Sequence, residues 1–311
     1  MANLTAGAAG IDFDDLVVND LLLGTVTLAT DTQFTLRDGA WQEDFTGHFT
    51  YSNGDIAGGT VSSWTESYSG QMVFQVTGAS VAVTDLATWA ATDNNTAAKT
   101  AFFAGSDSFT GSAAADRMFG FAGNDTIADP GGSNYLRGDD GNDSISGGAN
   151  FDDINGNQGN DTAHGNDGDD WVVGGKDQDL LYGDNGFDIV YGNMGDDTVY
   201  GGAGVDWVRG GQGNDTVSSG DGDDWLWGDR GDDTLSGGAG ADIFHSFSGA
   251  GIDRIVDFNQ AEGDKVQLDP GTTYTIKQVG SDTVVDMGNG DQVILVGVTA
   301  STLSPGTVFV G

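Results

Sequence analysis

From Phe102 to His245 the chain divides, without an insertion, into 16 consecutive nine-residue units, and this period constrains the fold more than any other feature. The pattern is G-G-x-G-x-D-x-U-x, with U apolar, as in Gly201 to Arg209 (GGAGVDWVR) and Gly210 to Ser218 (GGQGNDTVS). Position 6 is Asp in 15 units: Asp107, Asp116, Asp125, Asp143, Asp152, Asp161, Asp170, Asp179, Asp188, Asp197, Asp206, Asp215, Asp224, Asp233 and Asp242; the exception is Asn134. Position 8 is apolar in all 16, from Phe109 and Met118 through Val172, Leu181 and Val190 to Leu235 and Phe244. Position 4 is Gly in 13 units, with Ala114, Asn150 and Asp177 as the replacements.

Each class of residue has a physical task. Gly at position 4 supplies positive φ and lets successive turns approach closely, and Asn or Asp tolerates that region better than other side chains; Ala114 does not fit this logic. Position 8 is the inward residue of a very short strand, with positions 7 and 9 pointing outward. One such strand cannot bury its face alone, whereas stacked coils can. A disordered Gly/Asp-rich linker would not hold an apolar residue at one phase throughout.

The charge pattern agrees. The chain has 48 acidic against 10 basic residues and a formal charge of −38, almost all of the acid being Asp. Asp with 53 Gly and only 3 Pro places carboxylates on tight turns. Such a polyanion opposes its own compaction unless cations bind, and oxygen-rich turns suit hard cations, calcium above all. Nucleic acid is excluded as a partner, because little is available to neutralise phosphates. The absence of Cys removes disulfides and thiolate chemistry. Residues 1–15 lack the basic and apolar regions of an ordinary signal peptide, and no apolar run is long enough for a membrane span.

The nonapeptide resembles the calcium-binding repeat of the repeats-in-toxin (RTX) proteins. That resemblance implies an all-β, right-handed parallel β-roll in which two units make one coil. Calcium would sit between stacked turns, held by the position-6 Asp side chains and by carbonyls of the Gly-rich positions: Gly123, Gly141, Gly159, Gly168, Gly186, Gly195, Gly204, Gly213, Gly222, Gly231 and Gly240. Asp253, in the imperfect turn Gly251 to Ile255, joins the ligand set. Odd and even units form separate stacks of eight, so an ideal roll holds about 14 ions, offsetting about 28 charges. Asn134 and its irregular unit, Asp129 to Arg137, are expected to weaken the gaps they face.

Three segments follow: residues 1–101 as an N-terminal β-rich (α+β) domain, 102–254 as the roll, and 255–311 as C-terminal β-capping strands. The first shows strand alternation at Thr25 to Thr30, Phe45 to Tyr51, Gly59 to Trp64 and Met72 to Val76, with turns at Asp38-Gly39 and Asn53-Gly54-Asp55. Ile11 to Leu23 and Thr84 to Phe103 read as helical, and Trp41, Trp64 and Trp89 as core. The C-terminal segment resembles the part that closes the roll in the RTX family, and its apolar, nearly uncharged end is similar to the signal read by type I secretion machinery. An extracellular location, at the cell surface or in a matrix, follows from that resemblance.

Nothing points to catalysis. His48, His164 and His245 lack partners at zinc spacing, the last two at outward position 9, and no nucleophile elbow or phosphate loop occurs. Paired acids such as Asp169-Asp170 and Asp196-Asp197 recur at one phase, which metal binding explains. Positions 7 and 9 of the even units instead gather an aromatic face: Trp171, Ile189, Tyr191, Trp207, Trp225 and Trp227. The odd face is poorer, and a patch of that kind is seldom bare. It could be covered by the N-terminal domain, contact another copy in self-association, or stack on extracellular polysaccharide. Ice binding is set aside, since position 3 of the odd units from 122 to 230 offers no Thr.

Overall fold

The computed structural model describes strands within residues 3–82 and the whole of residues 103–311. The segments read as helical, and the side chains of Trp41, His48 and Trp89, lie outside the described residues, apart from Phe103, which is buried. The described residues are all-β and form a parallel solenoid of about nine turns; the chain divides into two compact units, Met1–Ser144 and Ile145–Gly311.

In the first unit an antiparallel meander runs through β2 (Thr25–Ala29), β3 (Gln33–Asp38), β4 (Trp41–Ser52), β5 (Asp55–Tyr68) and β6 (Gln71–Ala82). Residues 39–40 and 53–54, where turns are expected, lie outside the described residues. Phe45 and Trp64, cross-strand partners, stack with centroids 5.8 Å apart and are buried with Val61 and Val76. The first strand, β1 (Asn3–Ala6), is antiparallel to β6 and parallel to β7 (Ser108–Thr110), pairing Leu4 with Phe109. The chain's own N-terminal strand therefore covers the open edge of the first coil, the edge a solenoid must cap. β7 continues to β9 (Thr126–Ala128), and β8 (Arg117–Phe119) to β10 (Tyr135–Asp140), each 18 residues on.

The second unit holds the regular coils. Its odd strands include β13 (Thr162–Asp167), β15 (Leu180–Asn185), β17 (Thr198–Ala203), β19 (Thr216–Asp221) and β21 (Thr234–Ala239). Its even strands are β12 (Asp153–Gln158), β14 (Trp171–Lys176), β16 (Ile189–Met194), β18 (Trp207–Gln212), β20 (Trp225–Arg230) and β22 (Ile243–Ser246). Register is strict: Val172 pairs with Val190, Val190 with Val208 and Val208 with Leu226. The strands are six residues long rather than very short, running from position 7 through position 3 of the next unit. They extend because position 2, always Gly, Asn or Asp from Asp139 to Gly238, takes positive φ (Asn157 +78°, Asp184 +75°, Gly202 +123°) and keeps the ladder going.

Every position-8 side chain described is buried, and within the second unit these side chains stack as a column of apolar groups. Leu181, fully buried in that column, sets a first prediction. Leu181→Ala should cost about 2–5 kcal/mol, while Leu180→Ala, on the half-exposed face, should cost under about 1 kcal/mol. Thermal melts in calcium compare the two.

The period slips after His245, yet the parallel sheets continue. β23 (Ile252–Ile255) joins β21, and β24 (Lys265–Leu268) joins β22. An antiparallel set, β25 (Thr275–Val279), β26 (Asp282–Gly288) and β27 (Asp291–Leu295), then returns the chain so that β27 lies parallel to β23. β28 (Val308–Val310) ends the even sheet against β24. The C-terminal segment thus adds strands to both parallel sheets.

Candidate metal centres

The turn at positions 4 to 6 places each position-6 Asp inward. One oxygen, Oδ1, accepts the main-chain N–H of the corresponding residue one coil earlier. In the even stack Asp152 N–H donates to Asp170 (2.8 Å), Asp170 to Asp188 (2.8 Å), Asp188 to Asp206 (2.9 Å) and Asp206 to Asp224 (2.8 Å). In the odd stack the run is Asp161 to Asp179, Asp197, Asp215 and Asp233, each step 2.8 Å. In the first unit Asp107 donates to Asp125, and Asp125 to Asp143.

The second oxygen decides the chemistry. Oδ2 of Asp125, Asp170, Asp179, Asp188, Asp197, Asp206, Asp215 and Asp242 is buried and accepts no hydrogen bond. A buried, unsatisfied carboxylate oxygen is costly, and here the cost recurs at every coil. Burial, opposed by the ladder hydrogen bond and reinforced by neighbouring carboxylates, pushes Asp188 and Asp197 up to about 6, Asp170, Asp206 and Asp215 up to about 7, and Asp179 up to about 8. A cation between turns would remove both the orphaned oxygen and the mutual repulsion.

Position 1 makes room for it. A Cβ on Gly183 would stand 2.6 Å from Asp188 Oδ2 and 2.6 Å from the carbonyl oxygen of Gly201. The missing side chain thus leaves a cradle where a carboxylate and a main-chain oxygen of adjacent coils converge. Gly165, Gly192 and Gly210 face their own unit's carboxylate in the same way. Position-4 glycines differ: Gly168 (φ +158°), Gly186 (+144°), Gly204 (+143°) and Gly222 (+151°) are stacked so that each carbonyl abuts the next Cα. Among the described residues no three His, Asp or Glu side chains gather at one point, so the remaining ligands of any ion would be main-chain carbonyls, as hard cations accept. The donor set fits calcium.

Four sites depart from the rule. Asp116 Oδ2 already accepts the N–H and hydroxyl of Ser112 (2.7 and 3.0 Å). Asn134 keeps the ladder, accepting Asp116 N–H at 2.9 Å. In its unit Asp129, at position 1, puts a carboxylate into the space beside Gly111, and Asp116 Oδ2 lies 3.1 Å from the same point. A carboxylate missing at position 6 is thus supplied from position 1, a ligand candidate that the reading of the repeat passed over. Ser219 replaces Gly at position 1 of its unit, fills the cradle, and donates to the Gly237 carbonyl (2.8 Å). At the end of the stacks Asp253 and Asp264 take over as acceptors for Asp233 and Asp242, and burial beside Asp233 pushes Asp253 up to about 8. Asp264 was not anticipated, because the spacing there is no longer 18 residues.

The first members of the acid pairs are not metal-facing. Asp169, Asp196, Asp223 and Asp232, at position 5, are exposed and accept N–H groups from the following coil. They stitch turns in the direction opposite to the position-6 ladder.

In the even sheet Trp171, Ile189, Trp207 and Trp225 form one row, and Val173, Tyr191, Arg209 and Trp227 the next. Trp171 and Trp207 remain 48% and 46% exposed, while Trp225 and Trp227 stack at 5.8 Å and are half-buried. Position 5 enlarges the patch around the edge, with Phe151, Phe187 and Val205 exposed and Phe187 edge-on to Trp207 at 6.0 Å. The odd face carries a stack of its own, His164–Tyr182–Tyr200 (4.3 and 5.0 Å), with His164 Nδ1 2.9 Å from Asp184. His245 lies 3.1 Å from Asp269, so both outward histidines have a carboxylate partner.

The family model described as RTX calcium-binding nonapeptide repeat (4 copies) matches residues 103–128, 131–163, 146–181, 182–217, 209–244 and 218–255. No curated protein matches the chain. Among solved structures, similarity extends to the extracellular lipase LipA from Serratia marcescens, at 21% identity over 54% of this chain and 40% of that one (TM-score 0.30). It extends also to the AlgE6R3 subunit of the Azotobacter vinelandii mannuronan C5-epimerase, at 25% identity over 40% of this chain and 80% of that one (TM-score 0.29). The chain spans 40% of the lipase's length.

Proposed function

This chain belongs to the RTX calcium-binding nonapeptide-repeat family, and from that premise we propose that it is a non-catalytic structural protein of the extracellular space, folding on calcium and assembling with its own copies. Export by type I secretion machinery, with residues 255–311 as cap and signal, belongs to the same reading. Calcium would be held in the cradles between the Asp ladders, in about 14 places less those altered by Ser112 and Ser219.

The observation that carries the assembly reading is the exposed ridge of Phe151, Trp171, Phe187, Val205 and Trp207. Apolar surface of this kind favours a partner. The ridge repeats with the coil spacing, about 4.8 Å, and another copy of the same coil offers a surface of equal pitch. A contact between unlike positions on two copies extends without closing, giving fibres or layers. Light scattering should show particle size rising with protein concentration in calcium. Trp171→Ser/Trp207→Ser should abolish that growth while leaving the β circular dichroism unchanged. A calcium-loaded wild type that stays monomeric at high concentration sinks the reading.

A further inference from the structure

The chain is a polyanion, yet its cations are not scattered. Residues 145–311 contain six Lys or Arg: Lys176, Arg209, Arg230, Arg254, Lys265 and Lys277. Four of these, Lys176, Arg209, Arg230 and Lys265, lie on even strands, where they flank the aromatic rows. Lys176 and Arg230 stand in one exposed row at the strand ends, through Met194 and Gln212; Lys265 continues the row of Trp207, Trp225 and Ile243.

Their pairing is as informative as their place. In a chain with 48 acidic residues, Lys176, Arg230 and Lys265 make no ion pair among the described residues and are exposed. Arg209 is fixed instead: its guanidinium forms two hydrogen bonds of 2.9 Å to Asp229 and lies 5.1 Å from the Tyr191 ring centre and 5.7 Å from that of Trp227. Cation and ring are held together, a preorganised pair. The first unit shows the same combination on its even strands, with Arg117 and Arg137 over Tyr135 at 4.5 and 3.6 Å.

We infer that the even-sheet face of residues 171–265 is a binding site for a linear, carboxylated polysaccharide lying along the roll axis. Sugar rings present apolar faces that stack on Tyr191, Trp225 and Trp227, and the polymer's carboxylates meet Arg209, Arg230 and Lys176. Rows parallel to the axis suit an extended polymer better than a folded partner. The charge density selects the ligand further. Four cations spread over several coils match one carboxylate on some of the sugars, whereas a densely sulfated chain would be repelled by the surrounding acid. Trp225 shares its row with Trp171 and Trp207 of the assembly ridge, whereas Lys176 and Arg230 stand in the strand-end row outside it, so the cation variants address this site separately.

The test is fluorescence anisotropy with labelled hyaluronan oligosaccharide and the calcium-loaded full chain, beside dextran and dextran sulfate of equal length. Saturable hyaluronan binding is expected, with no binding of neutral dextran. Affinity should fall about tenfold or more in Lys176→Gln/Arg230→Gln, two exposed positions without ion pairs whose loss cannot unfold the roll, and similarly in Arg209→Gln. Particle growth in calcium should be unchanged in the Lys176→Gln/Arg230→Gln variant, which separates this site from the assembly ridge. The inference is overturned by failure to bind hyaluronan, by equal binding of dextran, or by preference for dextran sulfate. Binding that survives both cation variants, as calcium bridges to acidic turns would produce, overturns it too.

Discussion

At neutral pH the chelated protein is expected to lose the β circular dichroism of its repeat region, and millimolar calcium to restore it in one steep, cooperative transition. The size of the effect follows from the ladders. Buried carboxylates whose Oδ2 lacks a donor recur along both stacks, in a chain whose formal charge is −38. A site held at one hundred times its dissociation constant adds about 2.7 kcal/mol. About ten such sites outweigh the roughly 5–15 kcal/mol that holds an ordinary domain together, so metal binding and folding are one event.

Protons give the same prediction an independent handle. Asp170, Asp206 and Asp215 are raised from 3.8 to about 7 and Asp179 to about 8 in the metal-free roll. A raised carboxyl means that the folded state holds protons the unfolded chain has released. Their stabilising effect is fully present below the ordinary value and is lost as pH rises through about 6 to 8. Acidifying the chelated protein from about pH 8 to about pH 5 should therefore bring back part of the β signal. With calcium the sign reverses, because the ion needs the deprotonated carboxylate: the calcium midpoint should rise as pH falls over that window. A chelated protein with full β signal at neutral pH would refute both halves.

The repeat was legible because its parts are local. An apolar side chain every nine residues can be buried only if coils stack, and Val172, Val190 and Val208 do stack in register. The position-6 Asp row was legible for the same reason, since an 18-residue coil places Asp170 beside Asp188. Legibility fails where a side chain's role depends on its neighbour one coil away. Asp129 replaces the carboxylate absent at Asn134 only because the coil brings position 1 of that unit beside Gly111. Asp264 enters the ladder 22 residues after Asp242, a spacing outside the period.

The exposed face was half legible. The rows at positions 7 and 9 follow from strand alternation, but the ridge joins position 5 of one coil to position 7 of another around a corner, as Phe187 meets Trp207. The position-2 residues carry a readable signal, an unbroken run of Gly, Asn and Asp, whose positive φ accompanies strands that run on to position 3. The pairing of Arg209 with Tyr191 and Trp227 needed side-chain geometry.

Gly186→Ala should be among the most damaging single-methyl additions in the roll. Gly186 has φ +144°, far from the left-handed well, and an added Cβ would run into the carbonyl oxygen of Gly168. Backbone in that region costs a non-glycine residue roughly 1–3 kcal/mol, before the collision is counted. Position 4 as such does not forbid a side chain: Asp177, at the same phase, sits at φ +74°, so Asp177→Gly should change stability by about 1 kcal/mol or less. For a domain of this size 3 kcal/mol corresponds to roughly 6–12 °C in Tm. Because each coil contacts only its neighbours, the damage should stay local. Calcium titration of Gly186→Ala should resolve two transitions in place of one, and limited proteolysis should cut near the altered turn while both flanks remain protected. A variant that melts as one unit within about 2 °C of the parent would show that the coils do not depend on this close main-chain contact.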